Sequence, residues 1–202
     1  MLKKAGVAVA AVLMSVSLSS AQEHFDASLN GQAVFSKGIS NGNVQQDPTN
    51  NWGVLVTARA HLARKFAIEF NYGRLSNDQK YALPPFDYRI PAHITEYTGS
   101  FVVTPFRHGK WEPFFLVGAG VLRFDPQSVI INGTPTAVAL FRQTKPAFSY
   151  GFGTDYRIRG PLGLRVQYRG LFYSPPDFKI GGLLTEGKGH LAEPSIGVVF
   201  KF

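Results

Sequence analysis

Pro194-Ser-Ile-Gly-Val-Val-Phe-Lys-Phe202 is the stretch on which the reading of this chain turns. It alternates strictly: Ile196, Val198, Phe200 and Phe202 share one face, while Ser195, Gly197, Val199 and Lys201 share the other. A period of two marks a β-strand whose faces meet different surroundings. A greasy face opposed by small and polar residues fits a strand with lipid on one side and a polar interior on the other. Such strands need only ~9–11 tilted residues to cross a bilayer, so this segment is long enough.

The opposite end agrees. Met1-Leu-Lys3-Lys4 is a short positive segment, the run from Ala5 to Leu18 is apolar and uncharged, and Ser19-Ser20-Ala21 supplies small residues before Gln22. That layout predicts a secretory signal peptide over residues 1–21, cleaved after Ala21, and a mature domain over 22–202. The apolar run is shorter than the ~20 residues of a membrane-spanning helix and is interrupted by Ser15 and Ser17. Cysteine is absent, which excludes disulfides and Cys-ligated metals. The formal charge is +8, and +6 without Lys3 and Lys4, but the basic residues are scattered singly. Nucleic acid is therefore not expected as a partner, and anionic lipid headgroups are.

Eight alternating segments follow one another. They run over residues 24–36, 52–62, 66–75, 93–104, 113–124, 146–158, 162–173 and the closing strand. In the second, Trp52, Val54, Val56 and Ala58 oppose Gly53, Thr57, Arg59 and His61; in the third, Phe66, Ile68, Phe70 and Tyr72 oppose Ala67, Glu69 and Asn71. Pro113, Pro146 and Pro194 fall where segments are expected to begin, positions that tolerate a missing N–H.

Periodicity does not say which face is inside. Three other features do. The polar faces are rich in Gly and Ser, which the narrow lumen of an eight-stranded barrel requires. They carry both signs of charge: Glu69, Glu96, Asp155 and Glu193 against Arg59, Arg165, Arg169 and Lys201. The connections also sort by length. Those at 63–65, 105–112 and 159–161 are short, whereas 37–51, 76–92, 125–145 and 174–189 are long. Short turns at one rim and long loops at the other are the membrane-barrel arrangement. The expected fold is all-β: an eight-stranded antiparallel up-and-down transmembrane β-barrel.

The export signal, the eight segments, the glycine-spaced Phe114-Phe-Leu-Val-Gly-Ala-Gly-Val121 and the closing Val-Val-Phe-Lys-Phe202 resemble the small outer-membrane β-barrel superfamily. That group includes the opacity-type proteins, the membrane domain of outer membrane protein A and the OmpX- and OmpW-like barrels. The resemblance implies residence in the outer membrane of a diderm bacterium. It also implies that Phe200 and Phe202 are read by the barrel-assembly machinery.

For chemistry, the expectation is an ion-paired, closed lumen built by Arg59, Glu69, Glu96, Asp155, Arg165, Arg169 and Glu193, because unpaired buried charges are costly. Two sets hint at nucleophilic catalysis, His93 with Thr95 and Glu96, and His190 with Glu193 and Ser195. In each, alternation puts the histidine on the face opposite the carboxylate, and neither matches the His-x-Ser motif of barrel deacylases. The five histidines are dispersed, so neither a metal nor a cofactor is expected, and the chain is read as a non-enzyme.

The long loops are the expected contact surface. The Asn132-Gly133 pair between apolar runs predicts a hairpin, read as an extension of the fifth and sixth strands that exposes Ile130, Ile131, Val138 and Leu140. Tyr81, Phe86 and Tyr88 mark the second loop as aromatic. Aromatics near strand ends (Trp52, Phe66, Phe70, Tyr72, Trp111, Tyr156 and Phe172 among them) suit interfacial girdles. The leading functional reading is a monomeric structural or surface-interaction protein that contacts an extracellular ligand through its loops. A narrow channel for small or hydrophobic solutes comes second, and a lipid-modifying enzyme third.

Overall fold

The computed structural model describes residues 25–41, 44–83, 85–136, 140–178 and 187–202; the expected signal peptide and Val138 lie outside them. Twelve strands follow in order: β1 (Phe25–Lys37), β2 (Ile39–Asn41), β3 (Val44–Gln46), β4 (Asn51–Ala63), β5 (Phe66–Leu83), β6 (Phe86–Val103), β7 (Trp111–Pro126), β8 (Val129–Ile131), β9 (Thr134–Thr136), β10 (Gln143–Arg159), β11 (Leu162–Tyr173) and β12 (Gly189–Lys201). Eight of them, β1, β4, β5, β6, β7, β10, β11 and β12, pair each with the next, all antiparallel. β12 then pairs with β1, Ala27 opposite Phe200 and Gly31 opposite Ile196, and closes the wall. Closure removes every sheet edge from the hydrocarbon layer, where an unpaired backbone group has no water to bond.

The alternation sorts side chains as the sequence indicates. Leu29, Val56, Phe70, Phe101, Val117, Phe152, Val166, Ile196 and Val198 stand exposed on the outer wall, while Asp26, Thr57, Glu69, Thr98, Ser149 and Gln167 are buried within. Aromatic pairs ring the outside, with Trp111 and Tyr156 4.7 Å apart at the short-turn rim and Tyr72 and Tyr97 5.4 Å apart higher up.

Three expectations are corrected. The segment 76–92 is not a loop. β5 and β6 stay zipped from Phe66 opposite Val103 to Leu83 opposite Phe86, so the hairpin rises well beyond the bilayer. Pro84, Pro85 and Pro91 masked the period, because proline demotes a run of residues as a strand. Beneath them Asn77, Gln79, Tyr81, Ile90 and Ala92 still alternate inward and are buried.

The second correction concerns the Asn132-Gly133 hairpin. Both residues have positive φ, 48° and 81°, as a two-residue turn of this hand demands, and β8 pairs with β9. The ribbon does not prolong β7 and β10, however. β8 lies instead against β6, Tyr88 opposite Ile131, while β3 lies against β5, Gln46 opposite Tyr81. The tall β5–β6 hairpin thus anchors a six-stranded extracellular sheet, β2-β3-β5-β6-β8-β9.

Third, the lumen is not polar throughout. Its extracellular half holds the apolar core: Val34, Leu75, Ile90, Ile94, Leu122, Phe124, Val129, Leu171, Tyr173 and Leu191. Phe178, from the segment after β11, folds into this cluster and is fully buried.

Glycine is required where β6 and β7 coil closely. A Cβ on Gly120 would lie 2.0 Å from the Tyr97 carbonyl oxygen, whereas one on Gly31 meets nothing within 4 Å. Gly120→Leu is therefore expected to destabilise the barrel by more than about 3 kcal/mol, since the obstacle is backbone and cannot move aside. Gly31→Val should fall within about 0.5 kcal/mol of the parent. Urea titrations of the heat-modifiable folded band check both.

Candidate functional site: a charged lumen beneath an extracellular sheet

Neighbouring strands bring oppositely charged residues together. Across the β4–β5 turn Arg59 faces Glu69, across β10–β11 Asp155 faces Arg165, and between β11 and β12 Arg169 faces Glu193. Arg59 donates from Nε and Nη2 to Glu69 Oε2, at 2.9 and 2.6 Å. Arg165, fully buried, donates Nε to Asp155 Oδ1 at 2.7 Å and Nη2 to Asp155 Oδ2 at 2.8 Å. Such a two-pronged pairing matches the planar guanidinium to the carboxylate.

Other contacts span the lumen. Arg165 Nη2 also donates to Asp26 Oδ1 at 3.0 Å, and Arg169 Nη2 donates to Glu96 Oε2 at 2.7 Å and Glu193 Oε2 at 2.6 Å. Lys201 Nζ reaches Glu112 Oε2 at 2.6 Å and lies 3.4 Å from Asp155 Oδ2. The guanidinium carbons of Arg59 and Arg165 stand 4.3 and 5.3 Å from the Phe114 ring centroid, so a single aromatic face supports two cations. The structure thus divides the seven named charges into a lower cluster on Arg59 and Arg165 and an upper one on Arg169. Asp26 and Glu112 were missed. Asp26 had a signal, an inward position in the first segment; Glu112 fell one residue before the expected start of its strand.

Between the clusters lies a layer of buried polar side chains without hydrogen-bond partners: Gln32, Asn71, Gln167 and Ser195. Gln32 and Gln167 both sit opposite Ser195 in register. An unsatisfied buried group costs about 1–3 kcal/mol, so this layer is a polar gap between two ion-paired clusters.

Above the rim, the sheet frames a cleft of about 520 Å³ lined by Gln45, Asp47, Lys80, Asp87, Tyr88, Arg89 and Ile130 among others. Arg89 Nε donates to Asp78 Oδ2 at 2.8 Å. Of the loop residues expected to be exposed, Phe86 is and Tyr88 is half-buried. Tyr81 is buried, a correction: its hydroxyl donates to the Pro176 carbonyl at 2.7 Å and accepts from Gln46 Nε2 at 3.2 Å, and burial raises its pKa. Ile131 and Leu140 are likewise not free; both pack with Tyr88 against the apolar core, while Ile130 is half-buried. The β5 limb turns Asn77, Gln79 and Tyr81 inward and the β6 limb Ile90 and Ala92, which loop reasoning has no means to foresee.

The histidine sets stay apart. His93 and Thr95 face outward while Glu96 is buried within, and the alternation of β12 runs unbroken through Pro194, leaving His190 outside and Glu193 and Ser195 inside. Among the described residues no group of three or more His, Cys, Asp or Glu is placed to hold a metal.

A closed eight-stranded wall, a lipid-facing apolar belt and a charged interior define an outer-membrane β-barrel. The chain belongs to the outer membrane protein beta-barrel domain family, which it matches over residues 7–202. Among solved structures it is similar to Neisserial surface protein A, at 16% identity and a TM-score of 0.59, covering 88% of this chain and 97% of that one. It is also similar to Ail, the attachment invasion locus protein of Yersinia pestis, at 14% identity and a TM-score of 0.51, covering 90% of this chain and 100% of that one. At such identities the likeness is one of fold. No curated protein matches the chain.

Removing one partner of a buried pair strands the other. Arg165→Met is expected to destabilise the folded barrel by about 3–5 kcal/mol, because Asp26 and Asp155 lose their shared cation. The triple variant Asp26→Asn, Asp155→Asn, Arg165→Met should recover most of that loss in urea unfolding.

Proposed function

We propose that this protein is a surface-contact protein of the outer membrane, a sealed anchor that presents its extracellular sheet to a ligand. The carrying observation is the six-stranded sheet with its cleft, set above a lumen closed by an apolar core and two ion-paired clusters. From so tall a hairpin a contact protein gains a rigid platform held clear of the headgroups. Within the cleft, Asp47 and Asp87 accompany Lys80 and Arg89, with Asp78 paired to Arg89. Two carboxylates balance two cations there, so the cleft suits a polar ligand offering both donors and acceptors, such as a peptide or a neutral glycan, better than a polyanion. Ail provides a contrast: one of its structures is a complex with the heparin analogue sucrose octasulfate.

The same reading makes the protein a monomer in the outer membrane of a diderm bacterium, delivered through the assembly machinery. Phe200 and Phe202, rings 5.1 Å apart on the outer wall, suit the signal read by that machinery.

A second reading, a narrow channel, is favoured by the unpartnered layer of Gln32, Asn71, Gln167 and Ser195, which provides a polar middle section. Single-channel recording separates the two. The refolded barrel is expected to insert silently; discrete current steps altered by Arg169→Gln would replace the contact role with conduction. For the contact role itself, Lys80→Ser with Arg89→Ser should weaken binding to an immobilised peptide and glycan array at least about tenfold, as loss of central charged anchors does. Equal binding by parent and variant would remove the cleft from consideration.

A further inference from the structure

Above the aromatic belt, the outer wall of β5, β6, β7 and β10 changes character within one row. Tyr72 and Tyr97 sit in register with Val121 and Pro146. The next outward-facing row reads Arg74, Thr95, Arg123, Thr144, and the one above it Ser76, His93, Asp125. Arg142 pairs with Asp125, whose Oδ2 lies 3.4 Å from Arg123 Nε, an ion pair without a hydrogen bond. Arg74 is exposed and has no carboxylate partner among the described residues. Three arginines therefore face one carboxylate, on a surface turned toward lipid rather than toward the lumen.

This is a built site as well as a charged one. Arg74, Ser76 and His93 line a depression of about 290 Å³ whose remaining wall includes Trp52 and Val54. Ser76 Oγ and His93 Nδ1 are 2.9 Å apart. With the hydroxyl donating to Nδ1, the ring proton of neutral His93 sits on Nε2, where it is a donor. Arg74 and Arg123 are two strands apart, about 10 Å, with the Thr95 hydroxyl between them. Directly below, Val56, Phe70 and Tyr72 form an exposed apolar wall.

We propose that this row binds the phosphate of an outer-leaflet lipid, with the acyl chains running down the wall below it. Charge selects an anion, and guanidinium groups match phosphate oxygens in geometry. Height selects the lipid: the row lies one residue pair above a Tyr–Tyr contact of the interfacial belt, where headgroups sit. An arginine that merely extends toward water needs neither a walled depression nor hydroxyl and imidazole donors beside it.

The test uses the refolded barrel in nanodiscs of phosphatidylcholine mixed with phosphatidylglycerol. Native mass spectrometry counts the lipids that survive detergent stripping. The parent is expected to retain phosphatidylglycerol over phosphatidylcholine, and the preference should fall about fivefold for each of Arg74→Gln and Arg123→Gln. Heat-modifiable gel mobility establishes that each variant is folded before it is scored. Arg64→Gln with Lys65→Gln, at the exposed short turn of the opposite rim, serves as the charge control. An indiscriminate parent, an unchanged preference in the Arg74 and Arg123 variants, or an equal drop in the control would each overturn the proposal.

Discussion

Arg165 is the residue around which the barrel interior is organised. A guanidinium taken wholly out of water is tolerated only if every side of it is answered, and here Asp155 grips it bidentately while Asp26 closes on it from β1. Those two carboxylates belong to strands far apart in the sequence, so a single cation ties the first strand to the β10–β11 hairpin. Arg59 with Glu69, and Lys201 with Glu112, extend the same network to neighbouring strands. A buried network of this kind adds less to net stability than its many short contacts suggest, since desolvation offsets much of the attraction. Its larger effect is on specificity, because a strand slipped by one residue would turn these charges toward lipid.

The network also explains why the lumen is layered. Charges gather near the short turns, where hairpin partners are fixed by tight connections of a few residues. Higher up, the wall no longer has to face the hydrocarbon of the membrane, and the interior fills with Ile90, Ile94, Phe124, Leu171 and Phe178. The apolar half supports the extracellular sheet from beneath: Tyr81, Tyr88 and Ile131 all lie on the sheet's inner face and pack into that core. Packing below thus fixes the posture of the cleft above, and the outer face stays free for contact.

Outside, the wall divides along the same axis. Phe70 and Phe101 meet acyl chains, Tyr72 and Tyr97 meet the interface, and Arg74 with Arg123 meet what lies just above it. One strand face therefore passes through three solvents within a few residue pairs.

Sequence alone determined the eight barrel strands, their inward and outward faces and the charges turned into the lumen. The physical reason is that a period of two is a local property, and a two- or three-residue turn fixes which residue opposes which. Arg59, Glu69, Asp155 and Arg165 were legible as inward charges on those grounds; that Arg59 pairs with Glu69 and Asp155 with Arg165 came from the register of the folded hairpins. Only the tertiary structure decided that Glu96 and Glu193 share Arg169, that Asp26 completes Arg165, and that β3 and β8 flank the tall hairpin. Those are meetings across a closed lumen or between separate loops, set by shear and curvature rather than by neighbouring residues. The prolines of segment 76–92 concealed a strand for a related reason. Their local signal is a break, and it was overridden by the burial of Tyr81, Ile90 and Ala92, which becomes visible only once the core exists.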